Sequence, residues 1–139
     1  MSLFNVFDIT ATGMSAQSMR LNTTASNIAN ADSISSSVDE TYRARHPVFA
    51  AAMQKAAAGQ NESAVGVDVL GIVESSKPLN IEYSPEHPMA DQEGYIYKPN
   101  VNVIEEMTNM ISASRSYQTN VQLAESAKNM LNKTLQLGK

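Results

Sequence analysis

Two stretches of the chain place apolar or small residues at alternating intervals of three and four. In the later one, Val103, Met107, Met110, Ser114, Tyr117, Val121, Ala124, Lys128, Leu131 and Leu135 hold that rhythm, and residues 102–139 contain no Gly or Pro before Gly138. The spacing is the heptad of one long helix packed along its length against another helix. Asn102 with Glu105 three residues on is a capping-box-like start, and Gly138 is placed to act as a C-cap. At 1.5 Å per residue such a helix is roughly 50 Å long. It outruns any single small core and needs a partner of matching length.

The first 31 residues supply that partner. Phe4, Phe7, Ala11, Met14, Ser18, Leu21, Ala25 and Ile28 repeat the same intervals. In each stretch one heptad position is mostly large and the other often small or polar, so two backbones can approach closely. The two terminal helices are therefore predicted to pair as a coiled-coil-like hairpin. Its seam comprises Phe4, Phe7, Met14, Leu21 and Ile28 on one side, with Met107, Met110, Tyr117, Val121, Leu131 and Leu135 on the other. Val6, Ile9 and Met19 fall outside the stripe, and Asp8 and Arg20 are the only charges among residues 1–31. Thr10, Thr12 and Gly13 are weak helix formers. The pattern predicts a first helix that is marginal alone and completed by assembly.

Between the helices the pattern changes. All five prolines lie in residues 32–101. Thr41–Phe49 reads as a strand, Val65, Val67 and Val69 alternate, Leu79, Ile81 and Tyr83 alternate again, and Tyr95–Tyr97 is a short β-prone run. Residues 50–58 favour helix by propensity or form an ordered loop. The fold class is thus mainly α with a small β-rich insertion: residues 1–31 and 102–139 form the helical core and residues 32–101 the insertion.

Composition narrows the chemistry. The 139 residues carry 10 Lys and Arg against 14 Asp and Glu, a net charge of −4. No basic stripe points to nucleic acid. No apolar run approaches the roughly 20 residues of a bilayer span, and MSLFNVFD lacks the pattern of a cleaved secretory signal. There is no Cys, which removes disulfides and thiol chemistry. His46 and His87 each precede a Pro and lack metal-ligand spacing, so no metal or cofactor is expected. Glu105 and Glu106, about 100° apart on a helix, complement its dipole rather than form a carboxylate pair. No nucleophile, base and orienting group can be assembled into an enzyme. Ser, Thr, Asn and Gln, by contrast, number 43. A surface of small uncharged polar groups can be buried against neighbours without desolvating charges.

Several segments carry a resemblance. Leu21–Ser33, Tyr42–Phe49, Tyr83–Ile96, Pro99–Met107, Ser112–Asn120 and Lys133–Lys139 together resemble the axial proteins of the bacterial flagellum, most specifically their proximal-rod members. Ala31-Asp32-Ser33, with no Gly before Tyr42, departs from the turn of hook and distal-rod relatives. The resemblance implies a building block exported through the flagellar type III apparatus without a cleaved signal. Such a subunit stacks in the periplasm with copies of itself and other rod proteins, inside the basal-body rings, to form a torque-transmitting shaft and channel wall. In that setting Asn22, Asn27, Asn30, Arg115 and Asn120 are expected to make polar contacts within or between subunits, where a buried Asn can fix register. The alternative reading is a soluble monomeric binding domain with a ligand site in the insertion.

Overall fold

The computed structural model describes residues 3–52 and 66–138, and side chains in the first segment from residue 5. Helix α1 spans Leu3–Ala29. Strands β1 (Arg45–Ala51), β2 (Val67–Glu74), β3 (Asn80–Tyr83) and β4 (Tyr95–Lys98) follow, and helix α2 runs Val103–Leu137. Two long helices thus enclose two small antiparallel hairpins, β1–β2 and β3–β4. No helix among the described residues is long and apolar enough to cross a membrane.

Helix α2 begins where its sequence says it should. The Asn102 side chain accepts from the backbone N–H of Ile104 at 3.1 Å and of Glu105 at 3.3 Å, satisfying two of the orphan donors of the first turn. Asn102→Ala is expected to lower stability by about 1 kcal/mol, read as a drop in the denaturation midpoint with an unchanged slope. Gly138 follows the helix with φ −92°. The chain therefore leaves without the left-handed turn that glycine uniquely permits.

The hairpins follow the predicted alternation, with one shift. Thr41 belongs to a turn closed by its own hydroxyl, which donates to the Ser37 carbonyl at 2.6 Å. Pairing starts only where Arg45 meets Glu74. Ala50 and Ala51 continue β1 rather than opening a helix, because their backbones pair with Asp68 and Val67. Residues 53–58 of the Ala-rich stretch and Val65 lie outside the described residues.

The segments that flank the two hairpins are joined by side-chain amides. The Asn100 amide oxygen accepts from Ala44 N–H at 2.8 Å, and its nitrogen donates to the Lys77 carbonyl at 2.8 Å. Asn80 donates to the carbonyl of fully buried Pro99 at 2.9 Å. Ser35 exchanges both backbone bonds with Tyr97, clipping the segment after α1 onto the free edge of β4. In the loop after β3, Asp91 accepts from the backbone of Tyr95 and Glu93 and from the Tyr97 hydroxyl. These bonds, that from Tyr95 foremost, hold its carboxyl below the usual carboxylate range.

Candidate assembly interface

Helices α1 and α2 run antiparallel and pack together, but not on the predicted stripes. Three contacts locate the seam. Asn27 meets Glu106 at 2.9 Å, Arg20 donates to Asn109 at 3.0 Å, and a methyl placed on Gly13 would stand 2.9 Å from the Asn120 side-chain nitrogen. Thr10, Gly13, Gln17, Arg20, Thr24 and Asn27 are again spaced three and four apart, one residue behind the apolar stripe. On α2 the inward line contains Glu106, Ala113 and Ala127, also one residue behind. One residue is about 100° of helix rotation. The seam is consequently small and polar, and the large apolar side chains flank it.

The predicted residues divide accordingly. Phe7, Met14, Leu21 and Ile28 on α1, and Met110, Val121 and Leu131 on α2, are half-buried along the flanks. Met107, Tyr117 and Leu135 are exposed, so within one chain they do not seal the helices together. The side chain of Phe4 lies outside the described residues. Among the polar set, Asn22 and Arg115 are exposed, and Arg115 borders an outer groove of about 350 Å³ with Thr108, Ile111 and Ser112. Asn30 donates to the Ser26 carbonyl at 2.8 Å, tying off the end of α1. Asn120 lies against Gly13.

Asn27 is the centre of the arrangement. It is fully buried, and its amide uses all four of its hydrogen-bonding positions. The nitrogen donates to the Arg45 carbonyl at 2.8 Å and to the Glu106 carboxylate at 2.9 Å. The oxygen accepts from the Arg45 N–H and from the Tyr42 hydroxyl, both at 2.9 Å. The Tyr42 hydroxyl also lies 3.2 Å from Ser26 Oγ. The Arg45 guanidinium sits 5.5 Å over the Tyr42 ring and pairs with Glu74 at 3.0 Å. One side chain thus joins α1, the start of β1 and the first turn of α2.

Glu106 corrects an expectation. It is 3% exposed and committed to this hub, whereas Glu105 alone faces solvent at the helix start. The adjacent pair points about 100° apart, which carries one inward and one outward.

Sequence reasoning missed the seam because part of the buried polarity of α1 is satisfied within that helix. Thr10 donates back to the carbonyls of Val6 and Phe7, and Thr23 to those of Met19 and Arg20, at 2.9–3.1 Å. A hydroxyl satisfied by its own helix can be buried without a partner across the interface. The available signal was Gly13 inside a Thr, Gln and Asn heptad, since glycine within a helix is unfavourable by about 1 kcal/mol unless close packing uses it.

Known proteins resemble the chain over its whole length. Residues 7–33 match the family described as flagella basal body rod protein, and residues 92–137 the C-terminal family of the flagellar basal body rod FlgEFG proteins. The flagellar basal-body rod protein FlgC of Salmonella typhimurium is 46% identical over 99% of both chains. That of Yersinia enterocolitica is 47% identical over 99% of both. The Bacillus subtilis protein of the same name is 30% identical over 100% of both. The two matched segments contain both sides of the seam and both carriers of the Asn27–Glu106 bond, and the chain belongs to the FlgC family of flagellar basal-body rod proteins.

Proposed function

We propose that the chain, a structural subunit of the flagellar basal-body rod, acts as a stave whose outer flanks are sealed by its neighbours. The observation that carries this reading is the inversion of the hairpin. Its internal seam is polar and small, while Met107, Tyr117, Ile111, Leu123, Met130 and Leu135 stand exposed on α2. Exposed apolar side chains in such number mark an interaction surface. Copies of the chain and other rod proteins supply the cover, and residues 1–31 and 102–139 form the coiled-coil-like rod core, with 32–101 as its outer insertion. Phe7, Met14, Leu21, Ile28, Met110, Val121 and Leu131 bury their remaining surface in the same contacts. Asn22 and Arg115 make the polar ones.

The shaft so formed lines the export channel and turns in the periplasm within the basal-body rings. Subunits reach it through the flagellar type III apparatus, a route compatible with a chain that has no Cys to form disulfides. The family gives no support to a monomeric binding domain.

Leu131→Pro is the test. It lies inside α2, about two turns before its end, where proline removes a helix bond and clashes with the preceding turn, at a cost of about 3 kcal/mol or more. A deletion strain complemented with this variant is expected to lack basal bodies and motility. Normal rods from the variant, or motile cells after deletion, would overturn the reading.

A further inference from the structure

Two separate hairpins present four strand edges, and three of them are shielded. In an antiparallel ladder, the residues of every second pair turn their backbone groups outward. On β1 these are Arg45 and Pro47, because the preceding pair, Ala44 and Ser75, is a bonded one. Asn27 takes up the Arg45 backbone, and Pro47 has no N–H to offer. On β2, Val67 N–H donates to Thr12, and the register slips between the pairs Val48–Gly71 and Phe49–Val69, a bulge of the kind that interrupts an edge. On β4, Tyr97 exchanges both bonds with Ser35. The Tyr95 carbonyl accepts from the Asp91 amide, and its N–H donates to the Asp91 carboxylate.

The fourth edge belongs to β3. Ser84 N–H donates to the Gly94 carbonyl at 2.9 Å, so Ile81–Tyr97 and Tyr83–Tyr95 are the pairs turned outward. Among the described residues, the N–H and C=O groups of Ile81 and Tyr83 have no partner. Their side chains share one face of the ribbon with Tyr95 and are 61% and 64% exposed, while Ile96 is buried on the other face. The Tyr83 ring is held in place. It meets Tyr95 edge to face at 5.3 Å, and Gly94, at φ +83°, leaves it room, since a methyl there would stand 2.9 Å from Tyr83 Cε2. The loop that follows, residues 84–94, contains Glu86, Asp91 and Glu93 and no Lys or Arg. Asp91 is occupied by Tyr95, Glu93 and Tyr97. Glu86 and Glu93 are exposed and in no ion pair among the described residues.

We propose that the β3 edge receives an extended segment of a different protein, added antiparallel as the next strand. The guest has apolar side chains at alternate positions and Lys or Arg at its N-terminal end, beside the loop. An open edge lined by apolar side chains is a template for pairing, which proteins otherwise shield, as this one shields its other three. Backbone bonds to Ile81 and Tyr83 supply affinity, and the shelf of Ile81, Tyr83 and Tyr95 selects the guest's side chains. The shelf is already rigid, so little order is lost on binding. Glu86 and Glu93 face the basic end. Exposed ion pairs add little attraction singly, but they set direction and register. A second copy lacks the matching charge: β2 and β3, the strands with backbone groups still open, contain Asp68, Glu74 and Glu82 and no Lys or Arg.

The test titrates the full chain with a synthetic peptide, Lys-Lys-Val-Thr-Val-Thr-Val, blocked at both ends. Binding is expected to slow amide exchange at Ile81 and Tyr83. The same peptide N-methylated after its lysines cannot donate, and should bind about tenfold more weakly. Ile81→Pro removes an outward N–H and no ladder bond, as Pro47 already does on β1, and should weaken the parent peptide about tenfold too. Tyr83→Ala should act likewise by removing the shelf. Glu86→Lys with Glu93→Lys should reverse the preference, toward a peptide with Glu in place of its lysines. Unchanged circular dichroism verifies the fold of each variant, and methylation of the peptide leaves the chain itself untouched. No binding, equal binding of the methylated peptide, or an unchanged charge preference would overturn the assignment. So would self-association of the chain that Ile81→Pro abolishes, since a second copy would then be the guest. The hairpin lies in the insertion, so any of these results leaves the rod role standing.

Discussion

Asn27→Asp is expected to destabilise the chain by about 4 kcal/mol, the range for breaking a buried polar network and leaving charge unpaired. The substitution keeps shape and size and changes only what the side chain can do. Asn27 gives two hydrogen bonds and takes two. An aspartate takes bonds but gives none. The Arg45 carbonyl loses its donor, and a second carboxylate comes to stand 2.9 Å from that of Glu106. Denaturant titration of the full chain reads the effect. A loss below about 1 kcal/mol would show that the hub is incidental to the fold. Adding Glu106→Gln removes the clash and restores a donor between the two positions, so the double variant is expected to recover part of the loss. Two independent sites would instead add.

Ala113→Leu is expected to cost about 3 kcal/mol, the upper part of the range for overpacking a close interface. Ala113 is 0% exposed on the inward line of α2, between the levels set by the Arg20–Asn109 and Gly13–Asn120 contacts. A leucine there has no void to enter and must push the helices apart. Both neighbouring contacts lengthen with it. The variant should show a lower thermal midpoint and faster amide exchange through the middle of α1. A midpoint shift within about 2 °C, less than 1 kcal/mol in a chain of this size, would mean that the helices are loosely apposed.

Much of the architecture was legible because it depends on local rules. The absence of Gly and Pro, with the acceptor at Asn102, defined α2 nearly to the residue. Alternation at Val67–Val69 and Ile81–Tyr83 marked two strands before any pairing was known. The seam was not legible in the same way. Hydrophobic periodicity registers every apolar surface, and Met107, Tyr117 and Leu135 form such a surface while standing exposed. The contact made within the chain is carried by Gly13, Ala113 and Ala127, whose small size leaves a faint signal, and by threonines that satisfy themselves. Asn27 was one of several asparagines expected to make polar contacts, and its four bonds reach residues 42, 45 and 106, a convergence that only the fold produces. Glu106 could not be told from Glu105 until the phase of α2 was known.

The polar ties between the helices are unevenly placed. Among the described residues, Asn27–Glu106 and Arg20–Asn109 are the side-chain bonds that cross from one helix to the other, and both lie at the loop end. Further along, α1 is still held to β2, where the Thr12 hydroxyl accepts from Val67 N–H at 3.3 Å. Beyond Asn120, among the described residues, α2 makes no side-chain hydrogen bond to α1, and buried Ala127 marks contact by packing alone. Mechanically the pair is a laminate riveted at one end and merely pressed together at the other. A twist applied to it is expected to slide the pressed faces first, while the riveted end keeps its geometry.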